Sequence, residues 1–348
     1  MRPIFLLKYF LIIENICGIY RVYSNQTKIK KCLISLHIFV QNLLNVLAII
    51  EKLIILRMAT FYYQYTEVVI FVMPTYINYW MSVVGSITYS HAFTSYLMSV
   101  TSVYDSLKYH KEIRIKVTFY WIFVALNALC LVYRLYTFFN VFQSHFISGR
   151  YFAIPIATSE IIVRTAIAFE HSMLFIVVMT IVDLSKTLIS LMVETQQRVH
   201  RCGTSEVITG ETINRWVELY QELVNCCDKV AVCFGGQKVK ILEDFEHWFM
   251  LAIYIVLMTL PIVATQMAST QWAKCQRVMA RLHNSMIEVS DAGTTERKMI
   301  KDFLRVIKKH PLHIRFMAKV PFGIFLLPAI LTVVVNHVIV MLQFNHVV

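Results

Sequence analysis

Between Lys31 and Glu51 the chain carries no Asp, Glu, Lys or Arg, and the same holds over residues 68–104, over 248–273, and after Lys319. A helix needs about 20 apolar residues to cross a hydrocarbon core, and an ionised side chain there is costly. Runs of this length confine the chain to a bundle of helices in lipid. Two further stretches, 117–139 and 154–182, carry a few ions in otherwise apolar sequence, so six spans are expected. Hydrophobic residues fill 57% of the 348 positions and charged residues 16%, against roughly 25% charged in a soluble domain. The expected fold class is all-α, a polytopic transmembrane helical bundle, and not a soluble enzyme.

The formal net charge of +12 would suggest nucleic acid in a soluble protein. Its location decides otherwise. Lys274, Arg277, Arg281, Arg297, Lys298, Lys301, Arg305, Lys308, Lys309, Arg315 and Lys319 crowd one short connection, and such an excess beside spans marks the cytoplasmic side. No nucleic-acid partner is expected, and membrane lipid is. Eight cysteines fall in apolar stretches or in connections placed inside the cell, where free thiols are expected. No catalytic constellation, metal-ligand spacing or phosphate-cradling Gly-rich loop is present, so neither cofactor nor metal is expected.

Residues 4–20 form a short apolar helix interrupted by Lys8 and Glu14, expected to lie on or pack under the membrane. Residues 1–31 are cytoplasmic by the positive-inside rule, with Lys28, Lys30 and Lys31 ahead of the first span at 32–56. The sequon Asn25-Gln26-Thr27 then goes unused. Span two runs over 68–91, with its helix continuing toward Tyr104, and spans one to four together occupy 32–182. The cytoplasmic segment 183–246 has helical periodicity: Leu184, Leu188 and Leu191 share one face, and Ile213, Val217, Tyr220 and Val224 another. Thr209 stands as an N-cap between them. A transmembrane stretch occupies 247–267. The basic segment 268–319 contains a helix starting at Thr294 or Thr295 and ending before Pro311. A kinked last span follows in 320–348, broken near Pro321, Gly323 and Pro328. One difficulty stands out: 247–267 suffices for one crossing, yet both flanks carry cytoplasmic character.

Near the C-terminus, Asn336-His337 precede five apolar residues, Val338-Ile339-Val340-Met341-Leu342, and then Gln343-Phe344. This resembles the signature of insect gustatory receptors, in which Thr-Tyr stands where Asn336-His337 stand here. Cys275 to Leu282, Phe303-Leu304, His310-Pro311-Leu312, Phe316 and Ala318 are similar to that family's last cytoplasmic connection, and Leu219-Tyr220 to Phe234-Gly235 to the stretch before its fifth span. The resemblance implies a seven-span, ligand-gated cation channel in the plasma membrane of sensory neurons, with N-terminus inside and C-terminus outside. It implies four subunits, identical or mixed with other gustatory receptor subunits, around a pore lined by the last helix and held by a cytoplasmic anchor. The ligand would be a small-molecule tastant. Against that pattern, 236–267 is too short for a fifth span, an outer loop and a sixth span. Either it holds a re-entrant segment or a span is missing, and the second is favoured.

The pore-lining candidates are Asn336, Val340, Gln343 and Phe344, with Val340 as a hydrophobic constriction and Gln343 as a polar ring. Gln343 placed beside the headgroups is the alternative. Ligand-binding candidates are Tyr76, Tyr79, Tyr89, Tyr133, Tyr136 and Arg164, with Trp80 among the same aromatic residues. Aromatic residues near span ends also serve as interfacial belts. Glu160 and Arg164 are spaced to pair on one helix face, while Glu170, His171 and Arg134 add intramembrane polarity. That polarity serves either a ligand pocket or an internal ion pair. A metabotropic seven-helix receptor and a non-functional or truncated member of the gustatory family are the competing functional readings.

Overall fold

The structure, a computed structural model, describes residues 3–21, 28–58, 73–110, 117–149, 153–202, 208–234, 248–288, 294–316 and 320–321, with Pro328 and Thr332. The helices are α1 (Pro3–Ile16), α2 (Lys28–Met58), α3 (Met73–Thr88), α4 (Ser90–His110), α5 (Val117–Ile147), α6 (Ala153–Cys202), α7 (Gly210–Phe234), α8 (Trp248–Glu288) and α9 (Thr294–Lys309). A two-residue antiparallel hairpin follows, β1 (Arg315–Phe316) with β2 (Val320–Pro321), pairing Arg315 with Pro321 and Phe316 with Val320. The architecture is the helical bundle the charge-free runs require. Cys32–Ile50, Phe123–Ile147 and Ala157–Val199 are each long and apolar enough to cross a membrane.

α6 is the mast of the bundle. Its 50 residues extend about 75 Å at 1.5 Å per residue, more than twice a hydrocarbon core. Pro155 sits in its first turn, where a missing N–H costs nothing, and no Gly or second Pro interrupts it. From Thr165 to Ser185 every position is buried, as a helix apolar on all sides must be. The hydroxyls within that stretch are satisfied locally. Thr165, Ser172, Thr180 and Ser185 donate to the carbonyls of Ile161, Ala168, Ile176 and Ile181, so they load the core with no orphan donors.

Pairs of contacts fix the helix directions. α5 runs against α6: Tyr120 donates to Asp183, Phe123 meets Phe175 and Asn127 meets Ser172. α4 runs with α6, since Phe93 and Glu170 both meet Arg21 and Tyr96 donates to the Val177 carbonyl. α7 opposes α4, with Lys229 on Ser99 and Cys233 on the Tyr89 carbonyl. α9 runs with α7, because Gly210 abuts Met299 while the Tyr220 hydroxyl donates to the His310 carbonyl at 2.7 Å. α8 turns back on α9, with Trp272 Nε1 donating to the Ile307 carbonyl. Thus α4, α6 and α8 point one way and α5, α7 and α9 the other.

The same contacts set depth. Cys275 on α8 lies beside Met192 on α6; counting helical rise back from there, Ile253 sits level with Glu170 and Trp248 about 8 Å higher. α6 rises about 25 Å above Glu170. α7 ends at the level of Glu170 too, because Phe234 and Glu170 flank the same guanidinium. The two helices that bracket the difficult region therefore end and begin at nearly one height. The connection 235–247 between them lies outside the described residues.

Packing adds detail to two sequence expectations. Leu7, Phe10 and Leu11 of α1 are buried, with the Phe10 ring 5.7 Å from Phe169 and 6.3 Å from Phe123, so the helix is inserted among its neighbours. Its charge at Glu14 is tolerated because a later residue neutralises it. The helix of span two continues past Tyr104 to His110, but a turn at Tyr89 divides it into α3 and α4.

The helices around 208–234 and 294–309 follow the expected faces. Thr209 caps α7, its Oγ1 accepting from the Thr212 N–H. Of the expected face, Ile213, Tyr220 and Val224 are buried and Val217 is half-buried, and Tyr220 stands edge-on to Phe303 of α9, which is buried with Ile300 and Ile307. α9 begins at Thr294 and ends two residues before Pro311, with Lys298, Lys301, Arg305, Lys308 and Lys309 exposed. Cys17, Cys32, Cys130, Cys226, Cys227, Cys233 and Cys275 are free thiols. Burial pushes the Cys226 and Cys275 thiols up to about 12, so both are protonated at neutral pH and lack the reactive thiolate. A water-soluble maleimide at pH 7 is expected to leave both unmodified in the folded protein and to label them after denaturation, read by mass spectrometry. Phe303→Ala is expected to destabilise the α7–α9 unit by about 3–5 kcal/mol, visible as a lowered Tm in detergent.

Candidate functional site

The site begins with a turn. After α1 the Ile19 N–H donates to the Glu14 carbonyl and the Gly18 N–H to the Asn15 carbonyl, the paired closure of a Schellman motif. Gly18 takes φ +86°, and a Cβ there would stand 2.5 Å from the Tyr79 hydroxyl oxygen, so glycine is required twice over. The turn reverses the chain and lays Arg21 back along α1. Arg21 Nε donates to Glu14 Oε2 at 3.1 Å and Nη2 to Glu170 Oε1 at 2.6 Å. The guanidinium lies 4.4 Å from the Phe234 ring centre and 5.2 Å from that of Phe93. All three charged side chains are no more than 4% exposed. One residue thus joins α1, α4, α6 and α7.

Beside this cluster lies a cavity of about 650 Å³, within the range of small-molecule sites. Tyr76, Trp80 and Tyr89 give it aromatic walls, Val232 and Cys233 of α7 close one end, and Glu170 is its one charged side chain among the described residues. Ile77 and Val84, 57% and 58% exposed, form its outer lip toward lipid. A second polar seam follows the bundle interior: Ser159 donates to Asn45, and the single Ser172 hydroxyl proton is shared between the Ala168 carbonyl and Asn127 Oδ1, 2.6 Å from the latter.

Of the residues expected to bind ligand, Tyr76 and Tyr89 line the cavity together with Trp80. Tyr79 is fully buried behind it and donates to the Cys17 carbonyl at 3.1 Å. Tyr133, Tyr136 and Arg164 are not brought to this cavity; Tyr136 is 64% exposed on α5, the outward side of the bundle. The side chain of Glu160 and the pore candidates Asn336, Val340, Gln343 and Phe344 lie outside the described residues. Sequence reasoning named Glu170 as intramembrane polarity and missed its partner. No local pattern announced it: Arg21 lies seven residues after Glu14 and 149 before Glu170, with other cations nearer to each acid.

Removing Arg21 strands two buried carboxylates, so Arg21→Ala is expected to destabilise the chain by about 3–5 kcal/mol, measured as Tm in detergent. Combining it with Glu14→Gln and Glu170→Gln removes the stranded charges and is expected to restore most of that loss. Gly18→Ala is expected to lower Tm as well, since the substitution strains the turn and collides with Tyr79.

No family model matches this chain, and no curated protein matches it. Among solved structures it superposes on the olfactory receptor OR5 of the insect Machilis hrabei. The structure of that receptor in complex with eugenol gives a TM-score of 0.66 at 14% identity, covering 99% of this chain and 100% of the other. Another structure of the same receptor gives 0.58 at 12% identity with the same coverage. The chain is a multi-pass, all-helical membrane protein with the fold of an insect chemoreceptor.

Proposed function

We propose that this protein is a chemosensory receptor-channel of the gustatory type, a ligand-gated cation channel that detects a small-molecule tastant and assembles as a homo- or hetero-tetramer around its last helix. The observation that carries this reading is the cavity under a membrane-facing lip, walled at one end by α7. It is supported by the fold shared with an insect olfactory receptor and by the Gln343-Phe344 ending. α7 supplies the mechanical link. Its Cys233 end meets the cavity and the Tyr89 carbonyl, and about 20 Å below Tyr220 holds His310, close ahead of the last span. A ligand that fits better when α7 is displaced favours the conformation in which His310 and the chain after it have moved. The shift is limited to the ligand's difference in affinity between the two states.

Asn336, Val340 and Gln343 would then line the pore, with Phe344 at its outer edge, the N-terminus inside and the C-terminus outside a sensory neuron. Tyr220→Phe removes one hydrogen bond, worth about 1 kcal/mol. It is expected to leave ligand affinity near wild type while reducing maximal current several-fold in whole-cell recordings. Cysteines placed at Val340 and Gln343 are expected to react with water-soluble thiol reagents and block current; persistent inaccessibility in an assembled, surface-delivered channel removes the pore assignment.

One observation favours a second reading, a shortened member of the same family. α7 ends and α8 begins at nearly one depth, which leaves a pair of crossings short of the seven-span pattern. The transcript across 236–267, and ligand-evoked current from this chain expressed alone, separate the two. A silent chain with normal surface delivery supports the shortened reading.

A further inference from the structure

We infer that the cavity takes a protonated amine carried on an apolar body, and that Glu170 is the residue that selects it. The inference deepens the receptor reading and rests on the same cavity.

Two buried carboxyl groups, Glu14 and Glu170, face one guanidinium. Glu14 is fully buried and does not line the cavity. Glu170 does, giving one oxygen to Arg21, and Tyr76, Trp80 and Tyr89 stand around the same space. A carboxylate within aromatic walls is the pattern that recognises an ammonium group, by a charge-assisted hydrogen bond and by attraction to ring faces. The remaining wall is apolar, set by Ile49, Ile77 and Val84, and suits a hydrocarbon body. A neutral ligand of the same shape fills the space without a charge-assisted bond to Glu170, and an anion is repelled by it.

The test uses the purified full chain and a matched pair of probes, 2-phenylethylamine and 2-phenylethanol, at pH 7. Binding is followed by Trp80 fluorescence, with Trp80→Phe identifying the signal. The amine is expected to bind at least about tenfold more tightly than the alcohol. Glu170→Gln is expected to erase that preference. Because this variant also removes a partner of Arg21, Glu14→Gln serves as the second variant. It leaves the cavity wall and the Arg21–Glu170 pair intact, and is expected to keep both the amine preference and the alcohol affinity. Equal binding of the two probes, a preference that survives Glu170→Gln, a preference lost equally in Glu14→Gln, or a bound lipid that neither probe displaces overturns the inference. Amine-selective binding without current sinks the channel reading and leaves this one standing. Current evoked by neutral compounds with no amine preference does the reverse.

Discussion

A single guanidinium holds the upper part of this bundle together. Arg21 cannot be solvated where it lies, so its position is dictated by the two carboxylates and two aromatic faces that surround it. Each comes from a different helix, and the helices are otherwise joined by apolar contacts that specify position loosely. Charge and directional hydrogen bonding supply the register that dispersion does not. The inserted N-terminal helix, the end of α7 and the depth of Glu170 beside the cavity all follow from that placement.

Around this point the fold is built on one continuous helix. α6 is buried from Thr165 to Ser185, and the hydroxyls of Thr165, Ser172 and Ser185 are satisfied by carbonyls of the same helix. α7 is different. Its inner face is buried in the core, and side chains spaced along its length tie it to three neighbours: Lys229 to α4, Tyr220 to His310, Phe234 to Arg21. Ties at both ends of one helix couple the cavity to the chain after α9.

Much of this was legible from the residues alone. Long charge-free runs demand helices in lipid whatever their packing, and the period of Ile213, Val217, Tyr220 and Val224 names a buried face before any partner is known. Thr209 capped the helix it preceded. What stayed hidden was anything that depends on which distant helices meet. Glu14, Arg21 and Glu170 are far apart in sequence, and only the fold shows that they share one pocket of low dielectric. Tyr76 and Tyr89 could not be told from Tyr136 by composition, since all three are aromatic residues near span ends. The side of the helix that faces another helix or lipid decides their roles, and α5 turns Tyr136 outward.

The outer lip at Ile77 and Val84 has a kinetic consequence. A solute that enters the cavity through an opening in the hydrocarbon does so at a rate set by its concentration there, so of two compounds with equal fit the more oil-soluble arrives sooner at the same aqueous dose, and the membrane paces access.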